Sequence, residues 1–408
     1  MPEIPLHKFP SRSQRSLGLD PVLDEVRKSD GLARLQLPFG DPCFVVTGYD
    51  DARQVYSDKR FSRTGMASEA APRLTAGVLL QGAIGGQSDS DHLKLRKATL
   101  REMDSARIDR LEARAESIMA ELLSSMAANG GGDYVSEIAK PFAVAVLCEL
   151  LGLPRSDHDR LTSWVSALLN DSSVGDATVE NHAAVAKDVG QYVLALIRER
   201  RVTPGDDLIS ALAGRRDELN TREVATIVFA LIIGGFETTA HMLSKFVLRL
   251  LSQPDLWATL RARPESIAAA VEELLRTTSI AGGEALPWEV REPVTLAGVE
   301  MCPGQFVLPA VGAANLDPIV FDEPEKVDFD RAPKGHLTFG FGSHFCLGST
   351  IARMELRVAL EALVKEYPGA ALAVPAHDTR WRQGSAVWEL LNLPIGLQQY
   401  AELSNTES

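Results

Sequence analysis

Residues 339–348 read FGFGSHFCLG, a single thiol, Cys346, set among Gly340, Gly342 and Gly348 and beside His344. Glycines let a chain bend sharply and let a bulky group approach the backbone. The stretch therefore frames a loop that can take a flat ligand against the sulfur. A cysteine met singly is more often a small apolar core residue, so the flanking sequence must decide. Downstream, LGSTIARMELRVALEALVKEY (347–367) puts Leu347, Ile351, Met354, Val358 and Ala362 at helical spacing, interleaved with charged Arg353, Arg357 and Glu361. A helix that starts just past Cys346 aims its first N–H groups at the sulfur, where they favour thiolate over thiol. That is how a protein tunes a cysteine that ligates iron.

A second unusual stretch is TIVFALIIGGFETTAHMLSKFVLRLLSQ (226–253). Asn220 and Glu223 have the spacing of an N-terminal capping box, and the apolar periodicity predicts a helix of about eight turns. Gly234 and Gly235 fall in its middle, where each costs roughly 1 kcal/mol relative to alanine. Glu237, Thr238 and Thr239 follow in a run that otherwise reads as buried. Close helix packing explains glycines, and a threonine can bond its own i−4 carbonyl. A carboxyl group there is costly unless paired or functional. A flat ligand pressed on this helix accounts for both features, with the acid and hydroxyl turned towards it.

The remainder reads as mainly α with small β-sheets. IDRLEARAESIMAELLSSMAA (108–128) is helical in period, and strands are expected only in LARLQLPF, CFVVTGY, PVTLAG and QFVLPAV. With 408 residues, 45% hydrophobic and 24% charged, and no linker or repeat, one domain over 1–400 and a disordered tail over 401–408 are expected. A net charge of −13 argues against nucleic acid or an anionic membrane as partner. The N-terminus has no apolar targeting core, and the apolar run 225–236 falls short of the ~20 residues a membrane span needs. A soluble, cytoplasmic protein is expected. Cys43, Cys148, Cys302 and Cys346 are far apart without C-x-x-C spacing, which disfavours disulfides and structural zinc.

F-G-x-G-x-H-x-C-L-G resembles the haem-binding loop of the cytochrome P-450 monooxygenases, whose thiolate ligand promotes O–O cleavage. GGFETT (234–239) is similar to that family's oxygen-binding helix, EELLR (272–276) to its Glu-x-x-Arg helix, and DHLKLRKA (91–98) to its propionate-binding helix. The resemblance implies the P-450 fold, with haem b between the oxygen-binding helix and the Cys loop. It implies Cys346 as proximal iron ligand, Phe339 as the aromatic shielding the sulfur, and His344, His92 and Arg96 as haem propionate partners. Gly235 and Gly348 would make room for the ring, and Thr238 and Glu237 would be catalytic, holding an ordered water and relaying protons. Glu273 and Arg276 would be structural.

The reaction implied is insertion of one oxygen atom of O2 into a small molecule by a soluble bacterial enzyme, a monomer. Electrons from NAD(P)H would arrive through a ferredoxin reductase and a ferredoxin, docking near Lys94, Lys97 and Arg101. Relatives often tailor polyketides, peptides or terpenoids. Pocket segments are expected between Phe61 and Asp91, near Phe229–Gly235, at Ile280–Leu286 and at Ala386–Leu390; they are mostly apolar and suit a sizeable hydrophobic substrate. Two departures stand out. Lys326 takes the place of the arginine usual in the third position of the Glu-x-x-Arg network, and Lys lacks the bidentate fork. Trp288 stands where relatives place a propionate-binding arginine, and Arg291 nearby would face the opposite side of a strand. A peroxide-driven haem-thiolate enzyme and a non-catalytic haem sensor are the alternatives. The Glu237–Thr238 pair argues against the first, and the lack of an output domain against the second.

Overall fold

The computed structural model describes residues 4–11, 17–74, 84–169, 176–279, 286–332, 335–382 and 389–398. The expected tail, 401–408, lies outside them. Six strands form the principal sheet: β1 (Leu6–Lys8), β2 (Leu32–Gln36), β3 (Cys43–Val46), β4 (Phe61–Ser62), β5 (Trp288–Val290) and β6 (Phe306–Pro309), ordered β1-β2-β3-β6-β5-β4. The antiparallel β4–β5 pair, with Phe61 opposite Val290 and Ser62 opposite Glu289, matters most for the site. Trp288 and Val290 are buried and Glu289 is half-buried, the alternation a pleated strand imposes. Val294–Leu296 and Val299–Met301 form a hairpin, and Gly131–Asp133, Ala371–Leu372 and Pro394–Gly396 a three-stranded sheet. All four expected strand regions contain strands, but strands of two or three residues such as β4 are too short to leave a periodic signal.

Helices supply most of the rest. Those that frame the site are α1 (Asp89–Glu102), α2 (Ser105–Ala127), α3 (Lys140–Leu151), α4 (Thr221–Gly235), α5 (Glu237–Ser252), α6 (Ile267–Thr277) and α7 (Ser349–Glu366). Their apolar faces build the largest core cluster, which includes Met119, Phe142, Val146, Leu243, Phe246 and Leu360. Two smaller clusters sandwich the principal sheet.

The eight-turn helix expected from residue 220 is two helices. The capping box is present, with the Asn220 side chain accepting from the Glu223 amide and the Glu223 carboxylate accepting from the Asn220 amide. Helical geometry then breaks at Phe236, whose φ of −124° and ψ of −40° leave the regular range. Two consecutive glycines before it make the break cheap, because they hold the helix least firmly. Thr221–Ser252 is long and apolar enough to cross a membrane, as the core helix of a soluble protein also can be. Here α5 is buried continuously from Thr239 to Leu250. Its two buried cations are anchored on backbone, Lys245 donating to the Ser279 carbonyl at 2.9 Å and Arg249 to that of Thr277 at 3.2 Å.

Candidate functional site

The Cys346 loop is a tight backbone structure held by its own polar groups. The Cys346 amide donates to the Phe339 carbonyl at 2.7 Å, and the Gly340 amide to that of Leu337 at 2.7 Å. Gly340 and Gly342 have φ of +73° and +66°, the left-handed region that favours glycine. Asn315 pins the approach to the loop: its Oδ1 accepts from the Leu337 amide at 2.7 Å and its Nδ2 donates to Thr338 Oγ1 at 2.9 Å. Thr338 in turn donates to the Leu275 carbonyl on α6 at 2.7 Å. From the other side, Arg96 donates to the Phe345 carbonyl.

Cys346 is exposed on the open side of this loop, while protein crowds the rest of its sulfur. That desolvation pushes the thiol pKa up; the amides of Gly348 and Ser349 and the charges of Arg96 and Arg353 pull it back towards thiolate. The amides are the start of α7, which Gly348 caps without any side-chain bond. Phe339 lies under the Arg353 guanidinium at 4.4 Å, and Arg353 is held by Glu272 at 2.7 and 2.9 Å. A Cβ on Gly348 would meet nothing within 4 Å, so its missing side chain leaves open space.

Beside the loop lies a cluster of basic side chains. His92 and Arg96 are one turn apart on α1, and His92 stacks on His344 with centroids 4.1 Å apart and planes at 12°. Trp288 meets His344 edge-on at 5.0 Å, and the Arg63 guanidinium lies over Trp288 at 4.6 Å. Among the described residues no carboxylate forms an ion pair with Arg63 or Arg96. Burial and the surrounding cations push His344 down to about 3, and His92 is lowered for the same reasons. Several buried polar atoms have no hydrogen-bond partner: His92 Nδ1, Trp288 Nε1 and Arg63 Nε. Each such orphan costs about 1–3 kcal/mol. Arg291 turns away, as strand alternation requires, and pairs with Glu289 at 3.0 Å. Arg63 was not singled out by sequence.

Across the site, α4 carries a half-buried or exposed stripe of Phe229, Ala230, Ile233 and Gly234 beside its buried Val228, Leu231 and Ile232. The two glycines differ. A Cβ on Gly235 would come within 2.9 Å of Leu147 on α3, so this glycine serves helix packing rather than the expected ligand face. One on Gly234 would meet nothing within 4 Å. At the break, the Thr238 hydroxyl donates to the Gly234 carbonyl at 2.9 Å. Glu237 is buried at 2% exposure, so only Thr238 of the expected pair is half-open. One residue of helix is a 100° turn, which separates neighbours by face. Behind Thr239, Glu355 on α7 is wholly buried, bonded by the Thr239 hydroxyl, with Oε2 unpartnered; burial pushes its pKa up to about 8.

The Glu-x-x-Arg network is closed. Arg276 grips Glu273 at 2.8 and 2.7 Å and donates to the carbonyls of Asn315, Pro324 and Lys326. The expected third partner, Lys326, contributes only its carbonyl, since its amine reaches out to Glu323 at 3.4 Å. Arg331 fills that place, donating from Nε to Glu273 at 3.0 Å. On the outer surface, Lys94 is paired with Glu223 at 2.5 Å and Arg101 with Glu218 at 3.2 Å, which removes two charges from the expected basic patch. Of the expected pocket segments, 75–83, 280–285 and 386–388 lie outside the described residues.

Comparison with known proteins gives the family. The family model "Cytochrome P450", written here P-450, matches residues 265–370. The chain is 37% identical over 391 residues to mycinamicin IV hydroxylase/epoxidase of Micromonospora griseorubida, covering 95% of this chain and 98% of that one. It is 35% identical to nocardicin C N-oxygenase of Nocardia uniformis, with the same coverage of both chains. The LnmA hydroxylase of the leinamycin pathway of Streptomyces atroolivaceus superposes with a TM-score of 0.87 at 35% identity, over 96% of this chain and 100% of its own. Sequence similarity over nearly the full length and the shared fold together show that this chain belongs to the cytochrome P-450 family of haem-thiolate monooxygenases.

Proposed function

We propose that the protein hydroxylates or epoxidises a mid-sized, largely apolar natural product, with electrons from a ferredoxin and its reductase. The observation that carries the haem-bound site is an exposed thiol on a glycine-framed loop beside arginines that, among the described residues, pair with no carboxylate. These residues fit haem. Cys346 would ligate the iron, Arg96, His92 and His344 would receive the propionates, and the open faces of Gly348 and Gly234 leave room for the ring. When bound, thiolate-ligated haem would supply the activation of O2 for insertion of one oxygen atom into substrate.

The protein's own groups do the rest. The N–H groups of Gly348 and Ser349 and the Arg353 charge spread negative charge from the sulfur. The Thr238 hydrogen is committed to the Gly234 carbonyl, so its oxygen lone pairs are left to accept a bond from a water in the site. Glu237, buried behind it, would hand on protons. Phe229, Ala230 and Ile233 offer an apolar face to substrate, which suits a polyketide, the class of product named for a relative, the polyketide-biosynthesis cytochrome of Bacillus subtilis.

The test is the ferrous carbon monoxide difference spectrum of the purified protein. A strongly red-shifted Soret band is expected, and an unshifted band would remove Cys346 as ligand. Thr238→Ala should keep haem and substrate binding while product per NADPH falls ~10-fold or more, since losing the water that Thr238 positions forfeits part of the ~10²–10⁴ in rate that a placed proton donor contributes. Unchanged coupling would exclude Thr238 from proton handling.

A further inference from the structure

Resting on the haem reading above, we infer that Arg63 supplies the propionate-binding cation of this enzyme, delivered from strand β4 across Trp288. The β4–β5 register pairs Phe61 with Val290 and Ser62 with Glu289. One more step along it sets Arg63 opposite Trp288, and residues opposite each other in an antiparallel pair project to the same face. The contact is made: the guanidinium carbon lies 4.6 Å from the indole centroid and 6.0 Å from that of Tyr56. An indole face is the strongest of the aromatic platforms for a cation.

Arg63 is held in place but not neutralised. Stacking on Trp288 and the Tyr56 hydroxyl fix the guanidinium, while Nε is buried without a partner. The platform is itself incomplete: Trp288 is 3% exposed and its indole N–H has no acceptor. His92, 5% exposed, is in the same state at Nδ1. Among the described residues no carboxylate pairs with Arg63 or Arg96. Two guanidiniums and unsatisfied donors, joined through Trp288, His344 and His92 within ring contacts of 4.1–5.0 Å, describe a receptor for a ligand with paired carboxylates. With Trp288 on β5 the charge has moved one strand over, and the indole has become its support.

The experiment is haem transfer from holoenzyme to excess apomyoglobin, for wild type, Arg63→Gln and the double variant Arg63→Gln/Trp288→Arg. Each is loaded with haem or with its dimethyl ester, in which both propionates are neutral. Arg63→Gln should speed loss of haem at least tenfold and loss of the ester less than twofold, and the added Trp288→Arg should restore retention of haem. Equal retention by wild type and Arg63→Gln overturns the role of Arg63 while leaving the haem site standing. Equal acceleration for haem and ester would mean that Arg63 only supports the fold, and also overturns it. A wild type that takes up no haem overturns the site and this inference together.

Discussion

Two buried arginine clusters in this molecule are built in opposite ways. Around Glu273, every cation has an anion or carbonyl: Arg276 is 2% exposed and makes five bonds, and Arg331 closes the remaining side. Around His344, among the described residues, Arg63 and Arg96 have no carboxylate and three buried polar atoms go unpaired. Polar atoms are buried in both clusters, so an unmet donor is penalised in either. A closed cluster has already spent its polar capacity on the fold. An open one holds capacity in reserve for a ligand, and this asymmetry separates structural from functional charge without knowledge of the ligand.

The sharpest way to break the comparison lies on the open side. Cys346→Ala should abolish turnover and the red-shifted carbon monoxide band while leaving the far-ultraviolet circular dichroism and the apoprotein's denaturant midpoint unchanged. A variant that keeps full turnover would show that the sulfur is not the ligand. On the closed side the expectation is reversed. Arg276→Ala strands Glu273 in the core and should cost roughly 3–5 kcal/mol in denaturant unfolding, haem or no haem. A loss under about 1 kcal/mol would mean that Arg331 alone neutralises Glu273 and that the cluster is redundant.

Glu355 falls between the two types, with one oxygen bonded by Thr239 and the other bare. Its pKa rises from 4.5 to about 8 in the folded protein because burial disfavours its charge. The folded state therefore holds a proton that the unfolded chain releases. Stability from this group is complete below pH 4.5 and falls as pH rises towards 8, by about 3 kcal/mol on reaching pH 7. Glu355→Gln should flatten that slope between pH 5 and 8. Unfolding curves with identical pH dependence in both proteins would show that Glu355 is ionised in the fold.

What the sequence displayed and what it hid follow from the range of the interactions. The Cys346 loop, the capping box at Asn220 and the Glu273–Arg276 pair are local patterns, each complete within ten residues. Arg63, Arg331 and Glu355 work through partners that lie far away in the chain, at Trp288, Glu273 and Thr239. No periodicity reports such a pairing, and β4, with two residues, is too short to suggest that Arg63 would stand opposite Trp288. The helix break at Phe236 was hidden for another reason. The glycines gave warning, but apolar periodicity continues on either side, and only the backbone angles of Phe236 show where the turn is lost.

The smallest effect separates charge from geometry in the closed cluster. Arg331 donates from Nε to Glu273, from Nη1 to the Asp322 carbonyl at 2.6 Å, and from Nη2 to those of Glu323 and Lys326 at 3.3 and 3.1 Å. Lysine keeps the charge, but its single amine cannot span a carboxylate and three carbonyls that fan out around a planar fork. Arg331→Lys should therefore cost about 1–2 kcal/mol, the loss of one or two net hydrogen bonds rather than of a buried charge. Haem retention should be unaffected, because the network lies away from the open cluster. If the lysine variant were as unstable as Arg276→Ala, geometry and not neutralisation would be what holds Glu273. If it lost haem as well, the two clusters would be coupled through Asn315, which accepts from Arg276 at its carbonyl and holds the approach to the Cys346 loop with its side chain.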